Sequence, residues 1–267
     1  MGLSPLVRGY DHFLLDLDGC VWVGDELTPG ASEALAELRG AGKRLAFLTN
    51  DSAHSPEDYV RKLWSLGLKA SLEEVVTVGA AIQHLLSGRR PGLTASVIGS
   101  PAIHRHVSEA GLRIVNGTDR ESSADVVVVA GHVDLHFSEL RAATQAVLNG
   151  AEMVAAGRDR TYPTTNGLWP GTGAVVAALE YATGETARSV GKPDPQMFRT
   201  ALDRLGPGRA LVVGDRIESD LAGAAAAGLD GAIVLTGVSS RADADAARKP
   251  APVAVSENLS SLVTSRR

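Results

Sequence analysis

The chain of 267 residues is 44% hydrophobic and 21% charged, a balance that excludes low-complexity disorder and supplies apolar material for two domains and a sizeable core. Its net charge of −5 comes without a basic block, which excludes a nucleic-acid footprint, and no run reaches the ~18 apolar residues of a membrane-spanning helix. The single cysteine, Cys20, forbids an intrachain disulfide; with no signal-peptide core in Met1 to Tyr10, the expectation is a cytoplasmic protein.

The first element in chain order is Phe13-Leu14-Leu15-Asp16-Leu17-Asp18-Gly19-Cys20. An apolar run ending in aspartates at i and i+2 predicts a buried strand that delivers two carboxylates to its C-terminal tip, because alternate strand residues point the same way. An Asp-Gly turn is the plainer reading of the same residues. Thr28 and Pro29 predict an N-cap and N1 proline for a helix whose apolar face is Ala31, Ala34, Leu35 and Leu38, ended by Gly40. Arg44 to Leu48 predicts the second strand, followed by Thr49-Asn50-Asp51. Ser55-Pro56-Glu57-Asp58 then opens a helix with acidic residues where its dipole favours them. Short apolar strands recur at Ala95 to Ile98, Val126 to Val129 and Met153 to Ala156, with helices over Pro101 to Ala110 and Ser138 to Leu148. Asp194-Pro195 caps a helix burying Met197, Phe198, Ala201, Leu202 and Leu205, and Ala210 to Val213 and Ala232 to Leu235 are continuous apolar strands. Such runs belong to the parallel sheets of α/β proteins, covered on both faces.

Four stretches sit at these strand ends or helix starts: Asp16-x-Asp18-Gly19, Thr49-Asn50, Lys192-Pro193 and Gly214-Asp215-x-x-x-Ser219-Asp220. In that order they resemble the four signature motifs of the haloacid dehalogenase (HAD) superfamily of phosphohydrolases, and the resemblance covers nearly the whole chain. It implies a Rossmann-like, doubly wound parallel sheet core. Roughly 140 residues separate Asn50 from Lys192; one helix and strand of the core use about 30, leaving about 100 for a domain of its own. That domain is placed at 80–183, inserted into a catalytic core of 1–79 and 184–267. In family terms an α/β insertion at this point resembles the type II cap. The run from Ala156 to Thr164, with Pro170-Gly171-Thr172-Gly173, resembles subclass IIA, the group of the N-acetylglucosamine operon phosphatase, the nitrophenylphosphatases and the glycerol-3-phosphate and phosphoglycolate phosphatases. Three positions depart from that group, which usually has asparagine at Gly157 and Asp51 and threonine at Ser219.

Charge bookkeeping supports the same chemistry. A carboxylate nucleophile meets a near-dianionic phosphate ester with several kcal/mol of repulsion at ~4 Å and an effective dielectric near 20. Asp16, Asp18, Asp215 and Asp220 add negative charge and Lys192 supplies one positive, so a hard divalent cation, Mg²⁺, is expected on Asp16 and Asp215. The resemblance adds the backbone carbonyl of Asp18 as a ligand and Asp220 as the residue orienting Lys192 or metal-bound water. By the same resemblance Asp16 is the nucleophile, Asp18 the general acid and base, Thr49 and the amide of Asn50 phosphate binders, and Lys192 both phosphate binder and electrostatic stabiliser. No His/Cys set competes as a metal site: His104 and His106 face different ways on a helix, and His132 and His136 read as loop histidines.

In the inserted domain two polar loops follow apolar strands, His132 to His136 and Arg158 to Thr165; His132, Arg158 and Asp159 are the specificity candidates. Gly171-x-Gly173 lacks the third glycine of a dinucleotide fingerprint and reads as a loop opening a helix. Cys20 reads as a small packing residue. Trp22 in the short flap Val21 to Asp25, between the first strand and the helix that follows, and Trp169 in the inserted domain read as packing residues or further specificity candidates. The expected function is Mg²⁺-dependent hydrolysis of a small phosphorylated metabolite, glycerol 3-phosphate or 2-phosphoglycolate favoured, with nucleotides and pyridoxal phosphate as alternatives. A metal-free dehalogenase would not need Asp18 or Asp215. A non-catalytic phosphate sensor on the same fold would not need the full set. No nucleic-acid or membrane partner is expected, and a homodimer through the cap is common in similar proteins.

Overall fold

The computed structural model describes residues 2–164 and 167–265; Met1, Thr165, Asn166 and the last two positions lie outside the described residues. These residues gather into two compact units, one of 2–49, 56–76 and 192–265 and the other of 50–55 with 77–191.

The first unit is built on a six-stranded sheet in the order Ala254–Ser256, Asp230–Val234, Ala210–Gly214, His12–Asp16, Arg44–Thr49, Val75–Thr77. The first five strands run parallel, with Val213 opposite Leu15 and Asp16 opposite Leu48. The strand of this sheet that comes earliest in the chain, His12–Asp16, lies in its interior. The later strands are therefore added on both sides of it, and the connections part at its C-terminal end, where open α/β sheets form their binding crevice. The continuous apolar runs are explained by burial on both faces: Phe13, Leu14, Leu15, Leu211 and Val213 are fully buried. Phe47, Leu38 and Leu63 pack into the same core, each contributing about 1.5–3 kcal/mol relative to an exposed side chain.

One capping expectation is corrected. The helix after the flap runs Ala31–Gly40 and starts from Gly30 at φ 72°, so Thr28 is not its N-cap. The Thr28 hydroxyl donates instead to the Cys20 carbonyl at 2.7 Å, tying down the base of the antiparallel flap Trp22–Val23 and Glu26–Leu27. A threonine can satisfy a neighbouring carbonyl as readily as a helix start, and sequence alone does not separate the two.

The second unit has its own parallel sheet, in the order Arg188–Ser189, Glu152–Ala155, Val126–Gly131, Thr94–Gly99, Arg113–Ile114. Its core is Ile98, Val127, Val129, Met153, Ala143, Val176 and Leu179. Beyond the segment 50–55, the chain enters this unit at 77 and leaves it after 191; the spacing in sequence predicts 80 and 183. At the entry, Thr77 caps the helix Val78–Ser87 through its hydroxyl. At the exit, the two-residue strand Arg188–Ser189 pairs with Val154 and Ala155, too short a segment to leave a periodic signal. The segment 50–55 joins the same unit because the Ser52 hydroxyl donates to the Ala130 carbonyl at 3.0 Å and the Ser100 hydroxyl to the Ser52 carbonyl at 2.7 Å. No helix of the described residues is long and apolar enough to cross a membrane.

Candidate active site

Asp16 is the last residue of the central strand, and Asp215 follows directly on its neighbour Ala210–Gly214. Asp220 sits in the single π turn Ile217–Leu221, a local widening of the helix that often marks functional sites. These three carboxylates each place an oxygen within 4.8 Å of the others. Lys192 Nζ lies among them, donating to Asp16 Oδ1 and to Asp220 Oδ1, the latter at 2.7 Å. Lys192, Asp215 and Asp220 are buried.

Each acid is fixed by its loop. Asp220 Oδ2 accepts the Arg216 amide at 3.1 Å, and Asp215 Oδ2 accepts the Val238 amide at 2.6 Å. The loop from Thr236 to Ser239 carries no charge or motif that marks it in the sequence. It supplies that amide, a Ser239 amide bond to the Asp215 carbonyl at 3.0 Å and a Thr236 hydroxyl bond to the Gly19 carbonyl at 2.5 Å. The one available signal was its place after the apolar strand Asp230–Val234. Two glycines make the close packing feasible. A Cβ on Gly19, which sits at φ 88°, would lie 2.6 Å from Asp215 Cγ, and one on Gly237 would overlap the same carboxylate.

The electrostatics describe a site with a surplus of negative charge. Burial pushes the Asp16 carboxyl up to about 8, with Asp220 and Asp215 pushing the same way and Lys192 opposing. Burial works against the Lys192 ammonium, but Asp16 and Asp220 more than offset it and hold its pKa above the usual lysine value. Asp215 is raised, again by burial first. Three carboxylates, those of Asp215 and Asp220 buried and that of Asp16 partly so, face one ammonium, and among the described residues the buried Asp215 Oδ1 has no hydrogen-bond partner. An oxygen-only donor set, an unsatisfied buried acceptor and excess negative charge together fit a hard divalent cation.

The remaining candidates are distributed as follows. Thr49 is buried at the end of the strand beside Asp16, one position past Leu48. Asp18 is exposed, and its Oδ1 accepts the Trp22 indole N–H at 2.8 Å. Cys20 is fully buried with its thiol toward the Val213 carbonyl, and burial pushes that thiol well up.

In the second unit, Asn50 opens the segment 50–55, and Asp51 holds its own turn through the Ala53 amide at 2.9 Å and His54 Nδ1 at 2.7 Å. His132 Nε2 pairs with Glu139 at 2.9 Å. Arg158 donates to both Glu180 oxygens at 2.7 and 3.1 Å and to the Ala187 carbonyl at 2.8 Å, which pins its loop to the helix Thr172–Thr183. The Asp159 carbonyl accepts the Gly173 amide at 2.9 Å. Gly171 and Gly173 are explained by this contact, because a Cβ on either would run into the backbone of Arg158 and Asp159. Trp169 is half-exposed in the hairpin Thr161–Thr164 and Gly167–Pro170, with its ring edge-on to Tyr162 at 6.5 Å.

Known proteins resemble this chain in sequence and in fold. Residues 13–113 match the family model of haloacid dehalogenase-like hydrolases, and residues 189–262 match a HAD-hydrolase-like model. The chain is 40% identical over 243 residues to the D-glycerol 3-phosphate phosphatase of Mycobacterium tuberculosis, covering 91% of this chain and 67% of that protein. The crystal structure of glycerol phosphate phosphatase from the same organism in complex with magnesium superposes with a TM-score of 0.90 at 39% identity, over 98% of this chain and 79% of that one. The p-nitrophenyl phosphatase of Archaeoglobus fulgidus superposes with a TM-score of 0.87 at 29% identity, over 95% of this chain and 98% of that one. With its acids on the central strands of a parallel sheet and these relatives spanning both units, the chain belongs to the haloacid dehalogenase-like hydrolases, among their phosphoric monoester hydrolases.

Proposed function

We propose that this chain is a Mg²⁺-dependent phosphatase that hydrolyses a small phosphorylated metabolite through an aspartyl phosphate on Asp16, with glycerol 3-phosphate the first substrate to test and 2-phosphoglycolate the second. The observation that carries the reading is Lys192 Nζ, bonded to both Asp16 and Asp220 beside the unpartnered Asp215 oxygen. The name of the M. tuberculosis relative, and the magnesium in the similar structure from that organism, support the choice of substrate and cation.

Asp16, Asp215 and the backbone carbonyl of Asp18 would hold the cation, with Asp220 outside the direct ligands. Bound there, Mg²⁺ supplies positive charge against the phosphoryl oxygens. Asp16 attacks phosphorus, forming an Asp16 Oδ–P bond as the ester P–O bond breaks. Asp18 gives its proton to the departing alkoxide and then takes one from the water that hydrolyses the acyl phosphate, releasing inorganic phosphate and restoring the Asp16 carboxylate. Lys192, the Thr49 hydroxyl and the Asn50 amide bind the phosphoryl oxygens as charge moves onto them. Residues 77–191 serve as a type II cap in which His132, Arg158 and Asp159 set the choice of leaving group.

The test is turnover of glycerol 3-phosphate and p-nitrophenyl phosphate before and after chelation, with mass spectrometry of acid-quenched Asp18→Asn. Mg²⁺-dependent turnover is expected, together with an adduct of ~80 Da on the peptide carrying Asp16, since an activated leaving group needs no proton to depart. Full activity after chelation, or full activity of Asp18→Asn, would refute the reading.

A further inference from the structure

We infer that Trp22 is a positioning residue for Asp18, its indole N–H holding one carboxylate oxygen so that the other is presented to the leaving group; the inference rests on the acid and base role given to Asp18 above. Asp18 itself is exposed, so its immediate surroundings do not fix its rotamer. The fixing partner is the opposite in character. Trp22 is fully buried, stacked on Tyr59 with ring centroids 6.3 Å apart and planes 5° from parallel. Lys62 Nζ lies 4.6 Å from the centroid of the Trp22 ring, and the same ammonium donates to the Gly24 carbonyl at 2.8 Å. Tyr59 and Lys62 are three residues apart on one face of the helix Pro56–Ser65, so one helix face grips both the ring and the flap that carries it.

The backbone between the two residues is equally determined. The Val21 and Trp22 amides both donate to the Leu17 carbonyl, at 2.9 and 3.2 Å, and the Gly19 amide donates to the Trp22 carbonyl at 2.7 Å. This tight turn folds the indole back over Asp18, and Nε1 to Oδ1 measures 2.8 Å. A buried indole N–H requires an acceptor, and a backbone carbonyl would serve; even the exposed Trp64 ring donates to a carbonyl, that of Ala70. Trp22 instead spends its donor on an exposed carboxylate two residues from the nucleophile, where a side chain free to turn toward solvent would have to be reoriented in every turnover. With one oxygen held, the second is left for proton transfer. Misplacing a catalytic group by about 1 Å can cost on the order of 100-fold in rate.

The test separates orientation of the acid from general support of the fold by comparing leaving groups in Mg²⁺-saturated protein. Trp22→Phe keeps a ring against Tyr59 and Lys62 and removes the donor; the volume lost with the fused ring bears on both substrates alike. The ratio kcat/KM reports steps through departure of the leaving group. The glycerol of glycerol 3-phosphate departs as an alkoxide that needs a proton, whereas nitrophenolate does not. The expected result is a loss of about 10-fold or more in kcat/KM on glycerol 3-phosphate and about 2-fold or less on p-nitrophenyl phosphate. Equal losses on both substrates, or none on either, would overturn the inference. Asp18→Asn is measured alongside. If it discriminates between the leaving groups and Trp22→Phe does not, the positioning role alone has failed; if Asp18→Asn does not discriminate, the acid role has failed first.

A second readout needs neither activity nor a folded Trp22 variant. The chain has three tryptophans, and in ¹⁵N–¹H spectra the Trp22 indole N–H resonance should move in Asp18→Asn while that of Trp64 stays. An unmoved Trp22 resonance would overturn the inference.

Discussion

Lys192→Met tests the charge arrangement directly, because it removes the single ammonium while keeping a side chain of similar length. In the cation-free protein the variant leaves three carboxylates whose oxygens lie within 4.8 Å of one another, each pair repelling by about 3.5 kcal/mol at an effective dielectric near 20. Removing one partner from a buried charge cluster typically costs about 3–5 kcal/mol. Asp16, already pushed up to about 8, can escape part of that cost by taking a proton, which places the expected loss near the lower end, about 3 kcal/mol. For a unit of this size that corresponds to a fall in Tm of roughly 6–12 °C. The assay is calorimetry of chelated protein, repeated with Mg²⁺, which should narrow the gap by supplying charge where the ammonium was. Adding Asp220→Asn should recover part of the loss, since it removes one of the repelling carboxylates. A Tm within about 1 °C of the parent, or a double variant less stable than Lys192→Met alone, would refute the idea that Lys192 offsets a surplus of negative charge.

Four further outcomes are expected. Asp16→Asn should retain less than about 1% of kcat, more than ~2.7 kcal/mol of lost stabilisation, with an unchanged circular dichroism spectrum; greater activity would remove Asp16 as nucleophile. In chelated protein the raised Asp16 pKa means that the folded state binds more protons than the unfolded chain between about pH 4 and 8. Its contribution to stability should therefore fall as pH rises through that window, and denaturant midpoints measured with and without Mg²⁺ should converge toward the acid end. In the second unit, Arg158→Ala and Asp159→Ala should change kcat/KM for glycerol 3-phosphate by 10- to 1000-fold, about 1.4–4 kcal/mol, and for p-nitrophenyl phosphate much less. Glu180→Gln, which weakens the hold on the Arg158 guanidinium without altering its loop, should reproduce the Arg158 effect in part only if that hold sets the side chain's position.

Much of the first unit was readable because its strands are continuous apolar runs and its acids end them. Asp16, Asp215 and the Gly214-Asp215 turn announce themselves by a change from buried apolar to charged residues within one step of chain. What stayed hidden has a common cause in contacts formed at long sequence separation. The loop around Val238 carries no charge or motif, yet its amide fixes Asp215 from 23 residues away. Thr28 was misassigned because its hydroxyl serves the Cys20 carbonyl rather than a helix start. The exit from the second unit depends on a two-residue strand, and a segment that short has no period to detect. Arg158 is conspicuous in sequence, but its engagement with Glu180 and the Ala187 carbonyl is visible only once the sheet and helix are in place.

The burial of Cys20 has a practical use. It is the chain's single sulfhydryl, it lies between the strand His12–Asp16 and the flap, and no part of it reaches solvent. Burial also keeps it protonated, so a disulfide or alkylating reagent is refused twice, by access and by reactivity. Labelling can then proceed only when this part of the first unit opens. Its rate against denaturant reports the free energy of that opening at one atom, without any engineered probe, and whether phosphate or Mg²⁺ slows it gives their binding energy in the same units.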